Sequence, residues 1–207
     1  MNTLHFQCKQ LGTSMIEILV TLVILLVGLL GLAGLQVQGQ RSEMESYQRV
    51  QALILLQDMV GRINANRKVT AYQNVSVGTS ATVTCPGTTI AQQDLCQWHN
   101  AILGAAEMSG ITQTGAMIGG LGCITYDPLT ELPNNTIDPI PSTLNNVTSN
   151  IAFGANIPNS GLYTISIAWQ GLGKTAAQSS KLCGKDQYGD DAQRRVISVP
   201  LRLAPLG

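Results

Sequence analysis

Charge is scarce in this chain: 12 basic and 12 acidic residues in 207, a net charge of +0. Without a basic field there is no counterion-release drive toward a phosphate backbone, so direct nucleic-acid binding is not expected. Aromatic residues make up only 4%, so any core must be filled largely by aliphatic side chains. Histidine occurs twice, at His5 and His99. Ser-His-Asp catalysis would rest on His99 once the extreme N-terminus is set aside, and no nucleophile elbow accompanies it. No C-x-x-C pair offers the start of a zinc site. The run "GLGKT" (171–175) imitates the end of a phosphate loop, but Ala168 stands where the motif needs glycine, and the run reads as a β-turn. "GKDQYGDDAQRR" (184–195) gathers Asp186, Asp190 and Asp191 without the acid that a calcium loop places at its twelfth position, and reads as a solvated turn. The expectation is no catalytic residues, no cofactor and no metal.

Against this background one segment stands out. From Met15 to Leu35 the chain is apolar for 21 residues, about 31 Å of helix at roughly 1.5 Å per residue. Glu17 interrupts it near its start, at a cost of about 2 kcal/mol or more if ionised in hydrocarbon. A cleaved secretory signal would have a shorter apolar core and a small-residue cleavage site behind it. Here "QVQGQRSEMESYQRV" continues as polar helix instead. Lys9 on the near side favours a cytoplasmic N-terminus. Gly28, Gly31 and Gly34 form a smooth stripe where another helix could approach. Helical spacing then persists: Tyr47, Val50 and Ile54 form one apolar row, and Leu53, Leu56, Val60 and Ile63 another, with Arg49, Gln57, Asp58 and Arg62 on other faces. The pattern predicts one helix of about fifty residues, half lipid-soluble and half amphipathic, ending near "INANRK".

Gly12, Thr13 and Glu17 followed by an unbroken apolar run resemble the class III signal of type IV pilins and pseudopilins. The resemblance implies cleavage by prepilin peptidase between Gly12 and Thr13 and N-methylation of Thr13. It also implies an assembly role for Glu17, whose carboxylate would meet the terminal amine of a neighbouring subunit and fix the axial stagger. "LLQDMVGRINANR" narrows it to the PilV type of minor pilin, through Asp58, Met59, Arg62, Ile63, Ala65 and Asn66. "DLCQWHNAIL", "GGLGCITYD" and "YTISIAW" extend it patchily to about residue 170. Two positions depart from the family pattern. Thr13 replaces the usual phenylalanine, and Gly34 stands where many major pilins carry a helix-bending proline.

Beyond Thr70 the texture is Gly-, Ser-, Thr-, Asn- and Pro-rich. A short strand is expected around Val75 and Val77. A helix is expected over 91–110, with Leu95, Trp98, Ile102 and Ala105 on one face and Gly110 as its stop. Strands follow at 120–127, 162–171 and 194–203, separated by a long irregular connection over 128–161. In the second strand Tyr163, Ile165, Ile167 and Trp169 face one way, while Thr164, Ser166 and Ala168 face the other. In the third, Ile197, Val199, Leu201 and Leu203 point inward, and Pro200 marks an edge position. Of the five cysteines, Cys8 precedes the apolar run and four follow it, an even set suited to an oxidising compartment. Of the three pairings, Cys85 with Cys96 and Cys123 with Cys183 are favoured. The second would tie the first strand of the sheet to the connection between the last two. Each would contribute about 3–4 kcal/mol by restricting the unfolded chain.

The expected fold is α+β, the type IV pilin fold: a long N-terminal helix packed on a small antiparallel sheet, loop-rich and disulfide-stapled. Residues 1–12 would be the leader and 13–35 the transmembrane or filament-core half. Residues 36–207 would form the periplasmic globular domain, including the amphipathic half of the helix (36–67). The implied function is a minor pilin that takes part in priming and assembling the type IV pilus, supporting twitching motility, adhesion and DNA uptake. Its partners would be other minor pilins, the major pilin, prepilin peptidase, the inner-membrane assembly platform and a tip adhesin. It would reside in the inner membrane and then in the extracellular pilus, at or near the tip. A type II secretion pseudopilin shares the signal and the helix. A tip adhesin using 128–161 as its contact surface is a rival of another class.

Overall fold

The computed structural model describes residues 12, 14–105, 108–109, 112–113, 117–133, 156–178 and 180–204. His5, Cys8, the leader up to residue 11 and Thr13 lie outside the described residues, as does the middle of the 128–161 connection. Helix α1 runs from Met15 to Ala65. No proline falls within it, so no backbone N–H is missing from its ladder. Its glycines each cost roughly 1 kcal/mol of helix propensity, spread over a helix long enough to carry them. The chain divides into two compact units, residues 1–44 and 45–207, and α1 contributes to both.

In the first unit every described residue is exposed. The second unit is built around a four-stranded antiparallel sheet. Its strands are β1 (Val75–Gly78), β4 (Ile118–Asp127), β5 (Leu162–Gln170) and β6 (Arg194–Arg202), in the order β1-β4-β5-β6. Helix α2 (Ile90–Ile102) packs on the same face as α1, and a two-stranded ribbon, β2 (Met108–Ser109) with β3 (Thr112–Gln113), follows it. This is the expected α+β architecture: a long helix on a small antiparallel sheet with two disulfides.

The main core lies between the helices and the sheet. Ala52, Leu56, Met59 and Ile63 from α1 meet Leu95, Trp98 and Ile102 from α2 and Ile124, Tyr163, Ile165, Ile167 and Trp169 from the strands. Trp98 also donates its indole N–H to the Leu55 carbonyl at 2.9 Å, so the large ring is buried without an orphaned donor. Gly122 makes this packing feasible. A Cβ there would fall 2.6 Å from the Trp98 ring, so glycine lets α2 sit against β4. Pro200 lies on β6, the outer strand, where a missing ladder donor is tolerated.

Three sequence expectations need correction. The row Tyr47, Val50 and Ile54 does not pack on the sheet, and neither does Leu53. These residues are exposed, and the buried row is Gln48, Ala52, Leu56, Met59 and Ile63. The apolar surface of this half-helix is wider than the single stripe the sheet can cover. Helix α2 ends at Ile102, not Gly110. Gly104 adopts a φ of +80°, a left-handed stop that favours glycine, and Ala105 is left exposed. The other face of β5, which carries Ser166 and Ala168, is covered as well. Ser166 and Ala168 are buried beneath the 171–193 connection, in a second core with Leu121, Cys123, Cys183 and Val196. Cys123 therefore lies on an interior strand, β4, rather than the first strand of the sheet.

Disulfides join Cys85 to Cys96 and Cys123 to Cys183, with Cα separations of 5.5 and 5.9 Å. The first fixes the entry to α2. The second fixes the 171–193 connection to β4 across 60 residues of chain. Loop-closure entropy puts them at about 3 and about 4 kcal/mol respectively.

Candidate functional site

The chemistry of this chain lies in α1. Its first turn carries Glu17, whose backbone N–H bonds the Ser14 carbonyl at 2.9 Å. A carboxylate there complements the positive end of the helix dipole. Gly12 is exposed, and from Ser14 onward the first unit's side chains all face outward. Met15 is 89% exposed, and Leu30 and Leu35 are each 72% exposed. The helical ladder satisfies the backbone polar groups internally, which is what a hydrocarbon environment requires. The helix is long and apolar enough to cross a bilayer, which would cover this surface.

Within the second unit the exposed apolar character continues along α1 at Tyr47, Val50, Leu53 and Ile54. The opposite face is anchored. Arg195 on β6 reaches Glu45 at 2.9 Å, pinning the start of this half-helix to the sheet edge. At its other end a polar clamp closes on α2. The Arg62 guanidinium contacts Asp58 at 2.8 Å, Asp94 at 2.9 Å and Gln97 at 2.7 Å. Asn66 donates to Asp94 and to the Tyr72 hydroxyl, each at 3.2 Å. Tyr72 in turn donates to Asp94, and burial, followed by the neighbouring Asp94 carboxylate, pushes its hydroxyl pKa well up. The residues of the "DMVGRINAN" run thus divide by face. Met59 and Ile63 enter the core, while Asp58, Arg62 and Asn66 make or support the clamp.

The candidates considered for other chemistry are engaged structurally. His99 Nδ1 accepts the Gly78 backbone N–H at 2.9 Å. Asp190 pairs with Lys174 at 2.8 Å and Asp191 with Arg194. These cation partners hold both carboxyls below the usual range, through the Lys174 and Arg194 bonds respectively. Among the described residues no group of three or more His, Cys, Asp and Glu side chains could hold a metal ion. "GLGKT" follows β5 as a connection that starts buried at Gly171 and is exposed from Gly173 to Thr175, and Thr175 N–H bonds the Ala192 carbonyl at 2.8 Å.

Sequence reasoning missed Arg194. Its side chain is fully buried, and all five N–H donors are used, on both Asp191 oxygens and on the carbonyls of Gln178, Lys181 and Cys183. It draws the 178–183 segment onto the sheet beside the Cys123–Cys183 disulfide. An arginine at the start of an apolar strand gives no sign of burial, because its partners are mostly backbone carbonyls of a distant loop.

Residues 34–100 match the family model of Tt1218-like proteins, described as type IV pilin Tt1218. The match takes in the second half of α1, β1 and α2. No curated protein and no solved structure matches the chain. With this match over about a third of the chain, and with a long apolar helix laid on a four-stranded antiparallel sheet, the chain is similar to type IV pilins.

Proposed function

We propose that this pilus subunit is a minor pilin of the PilV type, which primes type IV pilus assembly and serves no catalytic role. The observation that carries the reading is the exposed apolar helix with an acid in its first turn, continuous with a half-helix anchored in a globular unit. A plain membrane anchor needs no acid at that place. In a filament, the Glu17 carboxylate finds a partner in the terminal amine of an adjacent subunit. The pair is then worth more as a register device than as net stabilisation, because only one axial offset supplies it.

On this reading prepilin peptidase cleaves between Gly12 and Thr13, and Thr13 becomes the methylated terminus. Residues 13–35 cross the inner membrane and later line the filament core, and residues 36–207 face the periplasm. In the assembled pilus the subunit sits with other minor pilins at or near the tip, above the major pilin and in reach of a tip adhesin. The inner-membrane assembly platform is its partner during extrusion. Twitching, adhesion and DNA uptake then depend on it through the filament.

The test is intact-mass analysis of the protein from sheared filaments and from inner membranes, beside a peptidase-deficient strain. The expected product lacks residues 1–12, carries one methyl group on Thr13, and disappears without the peptidase. Full-length protein confined to the membrane would refute the reading. Deletion should abolish twitching while leaving type II secretion intact, and the reverse pattern would make the chain a secretion pseudopilin.

A further inference from the structure

His99 is half-buried on α2, beside the end of β1, an outer strand of the sheet. Its Nδ1 accepts the Gly78 N–H at 2.9 Å. That nitrogen therefore carries a lone pair, and the proton of the neutral ring sits on Nε2. A second proton can go only to Nδ1. It removes the acceptor and sets two N–H groups against each other. Gly78 is itself buried, so its N–H is then left without a partner unless the backbone moves.

The turn that follows is poised to move. Thr79 N–H bonds the Gly120 carbonyl at 2.8 Å, and Ala81 N–H bonds the Gly78 carbonyl at 3.1 Å. Gly78 has a φ of +104° and Ser80 a φ of +66°. A serine stays in the left-handed region only while its surroundings enforce it. Farther on, Ala81 packs on the second core and Val83 on the main one. The Cys85–Cys96 bond then ties the chain back to α2. Residues 78–84 thus cover parts of both cores, with a covalent tie at one end and an imidazole at the other.

We propose that His99 is a proton-operated latch. Neutral, it holds residues 78–84 closed over the two cores; protonated, it lets them open about the Cys85–Cys96 bond and uncovers Ala81 and Val83. The charged and titratable groups on the elements around α2 are engaged elsewhere. Arg62 of α1 holds Asp58 and Asp94, and Tyr72 donates to Asp94. Tyr126 and Asp127 lie at the far end of β4, bonded to Glu131 and to the Leu129 N–H. Neither β1 nor the run 79–89 carries a charged side chain. Imidazole changes charge between about pH 8 and pH 5, where carboxylates of ordinary pKa stay ionised.

Amide hydrogen exchange of the full chain in detergent tests this, read as protection factors so that the intrinsic pH dependence of exchange cancels. Protection at Gly78 and Ala81 should fall about tenfold across that window, the loss expected when one such bond is forfeited. The amides of Leu56 and Met59 should stay protected. His99→Asn places an oxygen acceptor where Nδ1 stands, without a titrating proton, and leaves His5 to titrate as before. Its protection at Gly78 and Ala81 should stay flat. Flat protection in the parent, or the same fall in parent and variant, would overturn the latch. Should the variant fail to fold, the imidazole nitrogen resonances of the parent decide. The Gly78 amide shift must follow the titration of the His99 ring, and a Gly78 shift that ignores it overturns the latch as well.

Discussion

The two parts of α1 obey the same helical geometry and are both rich in Leu, Val and Ile, yet they end differently. From Met15 to Met44 every side chain is exposed, whereas the stretch from Glu45 to Ala65 buries Gln48, Ala52, Leu56, Met59 and Ile63. Hydrophobicity alone does not place a residue inside its own chain. The second part finds a sheet whose facing strand presents Tyr163, Ile165, Ile167 and Trp169. The first part finds no partner among the described residues, and it is long and apolar enough to cross a bilayer. The second unit covers an apolar stripe of its helix with its own sheet, whereas the first leaves its apolar side chains exposed.

Charges divide the same way, and there the comparison breaks most sharply. Arg194 has its partners within the chain, and removing its side chain takes a donor from Asp191 and from the carbonyls of Gln178, Lys181 and Cys183, of which Gln178 keeps the Lys181 N–H. Arg194→Ala should cost about 3–5 kcal/mol in chemical denaturation of the full chain in detergent. Glu17→Gln should leave that denaturation curve unmoved, because no described residue bonds its carboxylate, and should instead deplete the protein from sheared filaments. A Glu17 variant that unfolds early would show that the two regions are not independent.

Next in size is a pair of identical substitutions. Leu56 is fully buried, and Leu56→Ala should cost about 2–5 kcal/mol. Leu25 is 60% exposed, and Leu25→Ala should shift the same transition by less than about 0.5 kcal/mol. Equal losses would mean that the first part of the helix is covered after all.

Much of this was legible in the sequence because it depends on local pattern. The apolar run, the absence of proline in α1 and the alternation at Tyr163, Ile165, Ile167 and Trp169 gave the long helix and the central strand their places. Which stripe of α1 is buried was not legible. Tyr47, Val50 and Ile54 are as apolar and as well spaced as the row that packs, and only the width of the sheet excludes them. The end of α2 at Gly104 and the cover over Ser166 and Ala168 also depended on a loop whose path no periodicity encodes. Arg194 was hidden for the same reason. Asp58, Arg62 and Asn66 were legible as a motif, but Asp94 and Tyr72, which give the motif its purpose, were not.

A smaller effect tests whether α2 belongs to the second unit by local means as well as by packing. Thr89 caps α2 in a reciprocal box, with Gln92 N–H bonded to Thr89 Oγ1 and Gln92 Oε1 to the Thr89 N–H. Thr89→Ala should cost about 1 kcal/mol. Because the Cys85–Cys96 bond already holds the segment, the loss should appear chiefly as faster amide exchange in the first turn of α2.

The last expected effect is proton-linked and belongs to the second unit alone, because no tyrosine lies between Met15 and Met44. Burial pushes Tyr188 up to about 12, and its hydroxyl donates to the Gly119 carbonyl at 2.8 Å. A raised folded pKa means the neutral phenol is favoured in the native state. Its contribution is fully present below the unfolded value near 10 and is lost as pH rises toward 12. Tyr126 is also raised to about 12, by burial and then by its bond to Glu131, so the alkaline limb of stability should be shared. Tyr188→Phe should remove part of the loss between pH 10 and 12 at the cost of one hydrogen bond near neutrality. Denaturation midpoints across that window read both effects, and a variant whose alkaline limb matches the parent would show that the Tyr188 phenol ionises as easily in the fold as out of it.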